Sequence, residues 1–398
     1  MHTSKCCLLL LVALMFLPFT LKCQDSLSYL NLRVDNLNFF KNNEYRHDRQ
    51  MGYTLPGFRI IPKLQYKINE NIFLEGGLSL LRYFGSEQYP CYSYSDISLW
   101  KANNYHKGFH IMPFFRAQFS LKDNFKLVFG NLHSLDNHKL IAPLYNPEHV
   151  LCSDLEQGVQ MLFNSKHFFA DIWINWQSFI FKTDTHQEVF SFGVSSQLKK
   201  EFLNDKLKIY IPIQMVLNHK GGELDTLIKY DIETLSNFAI GLGGVYKFDG
   251  IIKEVNLEFN WVKYLKNSGQ KPPFSSGEGM YSKLRLSFYD FNFDISYWMS
   301  KNFISILGSP HYNNFSALNS NMTYDRLKML HLHLEYLLSQ KENFSVGFEL
   351  NTYHYFKYTR YSPGYPTFYQ SPYMEFSLGV YLKLNPTIRL YTFNKAGA

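Results

Sequence analysis

Apolar and polar side chains alternate with a period of two through most of the chain, in stretches of roughly ten residues bounded by turn formers, the pattern of half-buried strands. In Asn71 to Tyr83, Ile72, Leu74, Gly76, Leu78 and Leu80 share one face while Glu75, Gly77 and Ser79 take the other. Lys206 to Leu217 sets Leu207, Ile209, Ile211, Ile213, Met215 and Leu217 against Lys208, Tyr210, Pro212 and Gln214. Val255, Leu257, Phe259 and Trp261 oppose Glu254, Asn256, Glu258 and Asn260; Leu330, Leu332, Leu334, Tyr336 and Leu338 oppose His331, His333 and Glu335. These segments lack the spacings of three and four that mark an amphipathic helix, so few helices are expected.

The connections alternate in length. Short ones fall at Asn69 to Asn71, Lys122 to Asn124, Asn164 to Lys166, Phe248 to Ile251, Asp290 to Phe291, Ser339 to Asn343 and Asn385 to Thr387, with a somewhat longer link from Lys199 to Asp205. Between them lie longer polar segments rich in Tyr, Asn and Pro: Phe39 to Thr54, Gly85 to Lys107, Ser134 to Ser153, Phe181 to Gln187, Asn218 to Leu224, Lys266 to Gly279, Lys301 to Asp325 and Phe356 to Ser371. Short turns on one side and long loops on the other predict an all-β, antiparallel transmembrane β-barrel of about sixteen strands, with fourteen to eighteen compatible, its turns periplasmic and its loops extracellular. Tyr373 to Phe393 reads as one long strand or as two broken at Pro386.

Composition favours lipid contact over a water-exposed sandwich. The chain holds 29 Tyr and 36 Phe, and only 18% of its residues are charged, fewer than a soluble surface of this size would carry. A mean hydropathy of -0.22 fits strands that hide their apolar content by alternation. A basic start ending at Lys5 and an apolar run from Cys6 to Phe19 form a secretory leader too short to span a bilayer. Cleavage after Cys23 is expected, giving a leader over 1–23 and a single barrel domain over 24–398; Lys22 argues against Cys23 as a lipidated residue. The net charge of +7 falls to +5 once Lys5 and Lys22 are removed, and without a basic block it offers nucleic acid no footprint. The leader takes three of the five cysteines, leaving Cys91 and Cys152 in two long loops as a candidate disulfide for an oxidising compartment.

With its leader, paired strand patterns and loop asymmetry, the mature sequence resembles the porin-like outer-membrane β-barrels of Gram-negative bacteria. The resemblance is one of architecture, without a short diagnostic motif. It implies residence in the outer membrane and contact with its lipid. The function expected on that basis is a passive, cofactor-free channel for small polar solutes, sugars among them, with no enzymatic activity and with homo-oligomerisation left open.

Strand phase places Arg59, Lys63, Arg116, Lys126, Lys208, Lys283 and Arg285 on the inner face, with Glu75, Glu156, Asp171, Glu258, Asp294, Glu335, Glu349 and Glu375. Opposite charges on facing walls would set a transverse field across a wet pore, with Arg59, Arg116 and Arg285 facing Glu75, Glu335 and Glu349. The competing reading is a packed interior in which these charges pair and nothing passes. His331, His333 and Glu335 share one strand face, but neighbours on a face are about 7 Å apart, so hydrogen-bonded wall histidines are favoured over a metal site. Two further functions stay open. A rim hydrolase could draw on Ser134, Asp136, His138, Ser153 and Asp154 in one loop, although no signature makes them a triad. A surface-binding protein could use the aromatic loops holding Tyr89, Tyr92, Tyr94, Trp100 and Tyr105, and Tyr358, Tyr361, Tyr365, Phe368 and Tyr369.

Overall fold

The structure, a computed structural model, describes residues 28–46, 49–50, 52–84, 110–134, 138–181, 186–222, 231–270, 272–319, 321–341 and 343–393. The alternating segments become strands β1 (Ser28–Glu44), β2 (Tyr53–Lys67), β3 (Ile72–Tyr83), β4 (His110–Lys122), β5 (Phe125–Asn131), β6 (Gln157–Asn164), β7 (Phe168–Ser178) and β8 (Val189–Phe202). They continue as β9 (Leu207–Lys220), β10 (Glu233–Lys247), β11 (Ile252–Ser268), β12 (Ser276–Phe288) and β13 (Phe291–Lys301). After the short β14 (Thr323–Asp325) come β15 (Leu327–Lys341), β16 (Phe344–Tyr355), the short β17 (Tyr358–Tyr361) and β18 (Phe368–Gln370), then β19 (Tyr373–Leu384) and β20 (Thr387–Phe393). β14, β17 and β18 form a separate three-stranded sheet within the long loops.

Every long strand pairs antiparallel with its neighbours in chain order, and β1 closes the cylinder. One edge of β1 meets β2; the other meets β19 from Asn36↔Leu384 to Glu44↔Phe376 and β20 from Ser28↔Phe393 to Arg33↔Thr387. β19 and β20 thus act as one closing strand interrupted at Pro386, which has no N–H to give. The ladder still crosses the break, because Val34 N–H donates to the Pro386 carbonyl at 3.1 Å. Counted so, the barrel has 16 strands. The connection after β8 is tighter than its sequence suggests: pairing runs on to Phe202↔Leu207, and Leu203, Asn204 and Asp205 turn the chain with positive φ.

The outer wall is apolar and its ends are aromatic. Along β9, Ile209, Ile211 and Ile213 stay 40–43% exposed, while Tyr210 and Gln214 point inward and are buried. Left in water, such rows would cost about 25 cal/mol per Å² of exposed apolar surface, so their medium is lipid. At the short-turn end Phe163 meets Phe168, Tyr246 meets Phe248, Phe288 stacks on Phe291, Phe291 on Tyr336, and Tyr66 meets Phe393. Near the long-loop end Trp176 stacks on Phe190 and Phe179 meets Phe181, giving the second of the two girdles that a bilayer's interfaces select.

Part of the interior is filled by loops. The described parts of two long loops, 132–134 with 138–156 and 302–319 with 321–322, turn inward and carry Leu144, Phe303, Leu307 and Tyr312 into one buried cluster with the wall residues Trp173, Val216, Val262, Tyr264 and Trp298. The short helix α1 (His149–Cys152) places Leu151 and Cys152 against Phe39, Leu55, Leu81 and Tyr83 on the opposite wall. The loops also hold each other, with Asn146 N–H donating to Leu307 O (2.9 Å) and Ser305 Oγ to Pro143 O (2.5 Å). Inward-facing amides satisfy loop backbone that would otherwise be buried without partners. Gln214 takes the Ile141 N–H and gives to Lys139 O, both at 3.0 Å; Asn237 gives to Ile304 O and takes the Ile306 N–H. The polar loops of the sequence thus become much of the molecule's core.

Candidate functional site

The inward loops bring ionisable side chains together where an open pore would hold water. His138, at the start of the described part of its loop, donates or accepts through both ring nitrogens: Nδ1 lies 2.7 Å from Asp171 Oδ2 on β7 and Nε2 2.7 Å from Glu156 Oε2 just before β6. Tyr145 OH donates to the other Glu156 oxygen at 2.9 Å, and Gln160 Nε2 to Asp171 Oδ1 at 2.9 Å. The imidazole stacks on Trp173 with centroids 3.6 Å apart, and all three charged groups are buried. Burial works against the charged ring, but the two carboxylates outweigh it and raise the His138 pKa to about 9. Burial likewise opposes the Glu156 carboxylate, and His138 pulls it below its ordinary value. His138 is therefore an imidazolium near neutrality, held between Glu156 and Asp171.

A second histidine–carboxylate pair lies close by in sequence. His110, the first residue of β4, has Nε2 2.5 Å from Asp154 Oδ1, with both side chains partly exposed at the long-loop end. Ser153 Oγ donates to the His149 carbonyl at 2.6 Å and so serves the end of α1. Burial pushes His149 itself down to about 4. Ser134 lines a cavity below the loop, and Asp136 lies outside the described residues.

Of the inner-face charges expected from strand phase, Lys63, Glu75, Arg116, Lys283, Arg285, Asp294 and Glu349 pair with close neighbours along the wall, whereas Arg59 makes no ion pair among the described residues. Glu75 and Arg116 are register partners on β3 and β4 and meet at 2.8 Å, with Lys63 Nζ 3.0 Å from Glu75. Arg285 grips Asp294, its register partner on β13, through two hydrogen bonds of 2.6 and 2.7 Å. The expectation of Arg116 and Arg285 facing acids across the lumen is corrected by this register: cross-strand neighbours neutralise each other at close range. Glu335 and Glu349 are likewise register partners, and Glu349 takes Lys41 at 3.0 Å. Glu258 accepts from Tyr210 OH at 2.5 Å, Glu375 faces His311 at 3.3 Å, and Asp171 belongs to the His138 centre.

His331 and His333 point inward with ring centroids 6.4 Å apart. His331 bonds Asn351 at 2.9 Å while His333 faces Asp294 and Glu349 at 3.5 and 3.9 Å. Among the described residues no group of three or more His, Cys, Asp or Glu side chains has a metal-holding arrangement. Cys152 is a buried free thiol; its candidate partner Cys91 lies outside the described residues, as do Tyr89, Tyr92, Tyr94, Trp100, Tyr105 and the leader. In the second aromatic loop, Tyr358 is buried beside Tyr324, whereas Tyr361, Tyr365, Phe368 and Tyr369 are exposed.

Sequence reading placed Glu156 and Asp171 among pore charges and His138 in a rim loop, without joining them. The available signal was the apolar content of Leu140, Ile141, Leu144 and Tyr145 directly after His138, which marks a loop that turns inward.

No curated protein proves similar to the chain. Among solved structures, Acinetobacter baumannii OccAB4 superposes with a TM-score of 0.50 at 8% identity, covering 90% of this chain and 98% of that one. OccAB3 of the same organism gives 0.49 at 11% identity over 91% and 99%, and the anion-selective porin from Comamonas acidovorans 0.46 at 10% over 90% and 99%. The likeness to OccAB4 shows fold alone, and the chain has the porin-like fold of a closed antiparallel β-barrel. A family model described as lipid A 3'-O-deacylase-type matches residues 23–393. That match overturns the expectation of a protein without enzymatic activity, since it points to an enzyme. The physical reason for the error is that strand alternation encodes the barrel and is silent on whether its loops gate a pore or build a reactive centre. Matched over nearly all of its length, the chain belongs to the lipid A 3'-O-deacylase-type family.

Proposed function

We propose that the protein is an outer-membrane hydrolase that cleaves an acyl ester of a lipid A-type substrate, with His138, Glu156 and Asp171 as its acid–base centre. The observation that carries this reading is the burial of these three charged groups together in a loop folded into the barrel. Desolvating such a set costs several kcal/mol, and displaced pKa values cluster where chemistry is done. Ester hydrolysis requires a group to take a proton from the attacking water and another to return one to the leaving alkoxide. Glu156 suits the first role and His138 the second, while Asp171 fixes the ring through Nδ1. Tyr145 and Trp173 pack against the imidazole, so substrate entry requires displacement of the 132–156 loop.

The test is mass spectrometry of lipid A incubated with purified, folded protein. The wild type should release one fatty acid, and His138→Asn or Glu156→Gln should slow release about 100-fold or more. Unaltered lipid with the wild type, or full activity in both variants, would reject the reading.

Passage of small polar solutes is a second reading, supported by a cavity of about 730 Å³ whose walls carry Arg33, Lys63, Glu75 and Arg116.

A further inference from the structure

The same cavity holds a charge that the protein does not balance. It lies against the 132–156 loop and is lined by the contiguous stretch of wall made by β15, β16, β19 and β1–β4. Most of its cations have carboxylates at hand. Arg33 meets Asp35 at 2.7 Å, Lys63 meets Asp35 and Glu75 at 2.8 and 3.0 Å, Arg116 meets Glu75 at 2.8 Å, and Lys41 meets Glu349 and Glu148 at 3.0 and 3.5 Å.

Arg59 differs. Its residue is only 5% exposed, its guanidinium donates to the Ser153 carbonyl, and its Nε–H has no partner. No carboxylate among the described residues lies within ion-pair distance of it. A neutral carbonyl does not compensate a buried unit charge, and leaving one unpaired is among the costlier arrangements a fold can keep. The guanidinium is also a planar fork whose donors match the oxygens of phosphate and carboxylate groups. His133, on the same cavity, is pushed down to about 3 by burial and by Arg116, so it brings no competing charge.

We propose that this cavity binds an oxyanion, a phosphate or carboxylate group, with Arg59 as its principal ligand. A small soluble anion and the phosphate of a lipid headgroup offer the same oxyanion chemistry to this guanidinium. This inference does not depend on the ester chemistry assigned to His138.

Isothermal titration calorimetry on the purified full chain in detergent, at matched ionic strength, decides it with three probes: sodium phosphate, sodium acetate and dihexanoyl phosphatidic acid. Saturable binding of either salt identifies a soluble anion, and binding of the phosphatidic acid alone identifies a headgroup; both support the proposal. Arg59→Gln should weaken binding about 10-fold or more, and Arg59→Lys by less, in protein whose heat-modifiable gel mobility shows a folded barrel. Absence of saturable binding to all three probes in the wild type overturns the site even if the variants fail to fold. Equal binding by folded Arg59→Gln overturns it as well and leaves Arg59 as a strut for Ser153.

Discussion

His138 shows how a single residue's protonation is tied to the position of a whole loop. Its pKa of about 9 lies above the ordinary histidine value, so its stabilising contribution is complete below about pH 6.5 and is lost as pH rises through 9. Glu156 is displaced downward, so its contribution is present above the ordinary carboxylate range and is lost in acid. The centre should therefore be firmest between mildly acidic and mildly alkaline pH. Because the ring stacks on Trp173, an indole fluorescence titration should show a step centred near pH 9 that His138→Asn abolishes. A step centred near 6.5 would mean that the carboxylates do not hold the ring. At this scale the sequence showed the ingredients but not their assembly. His138 and Asp171 are 33 residues apart, and the contact exists only because the loop turns into the barrel instead of away from it.

At the scale of elements, period-two alternation carried nearly all the information about the barrel. It placed Glu75 and Ser79 inward and Leu78 outward, as the structure has them, because lipid contacts one face of every strand and protein the other. The ambiguity at Pro386 resolved into one interrupted strand, since continuous pairing with β1 is a long-range property that no local pattern records. The inward loops were harder to read for a related reason: their Tyr, Asn and Pro content marks irregular backbone without saying which way it folds, and the apolar residues after His138 were the one local sign of an inward turn. Two substitutions separate wall from filling. Ile211→Arg on the lipid face should cost about 2–4 kcal/mol near the bilayer midplane. Leu144→Ala in the loop core should cost about 2–5 kcal/mol through the cavity it leaves. Urea unfolding in vesicles measures the first. Proteolytic opening of the 132–156 loop measures the second, and an unchanged cleavage rate would show that Leu144 does not anchor the loop.

For the molecule as a whole, the barrel is a container whose contents decide what it does. Porin-like strands enclose two loops whose Phe303 and Leu144 are completely buried together with Val216 of the wall. The apolar exterior and aromatic girdles keep the molecule in the membrane, and the loop-filled part of the interior offers a place to hold charges at low dielectric. Both the proposed ester chemistry and the anion site depend on that filling. Conductance in a planar bilayer tests it most directly, comparing the wild type with a variant in which residues 133–153 are replaced by a short Gly-Ser linker. The expected result is stepwise current from the shortened protein and none from the wild type inserted under the same conditions; steady open-channel current from the intact chain would contradict a closed, loop-packed barrel.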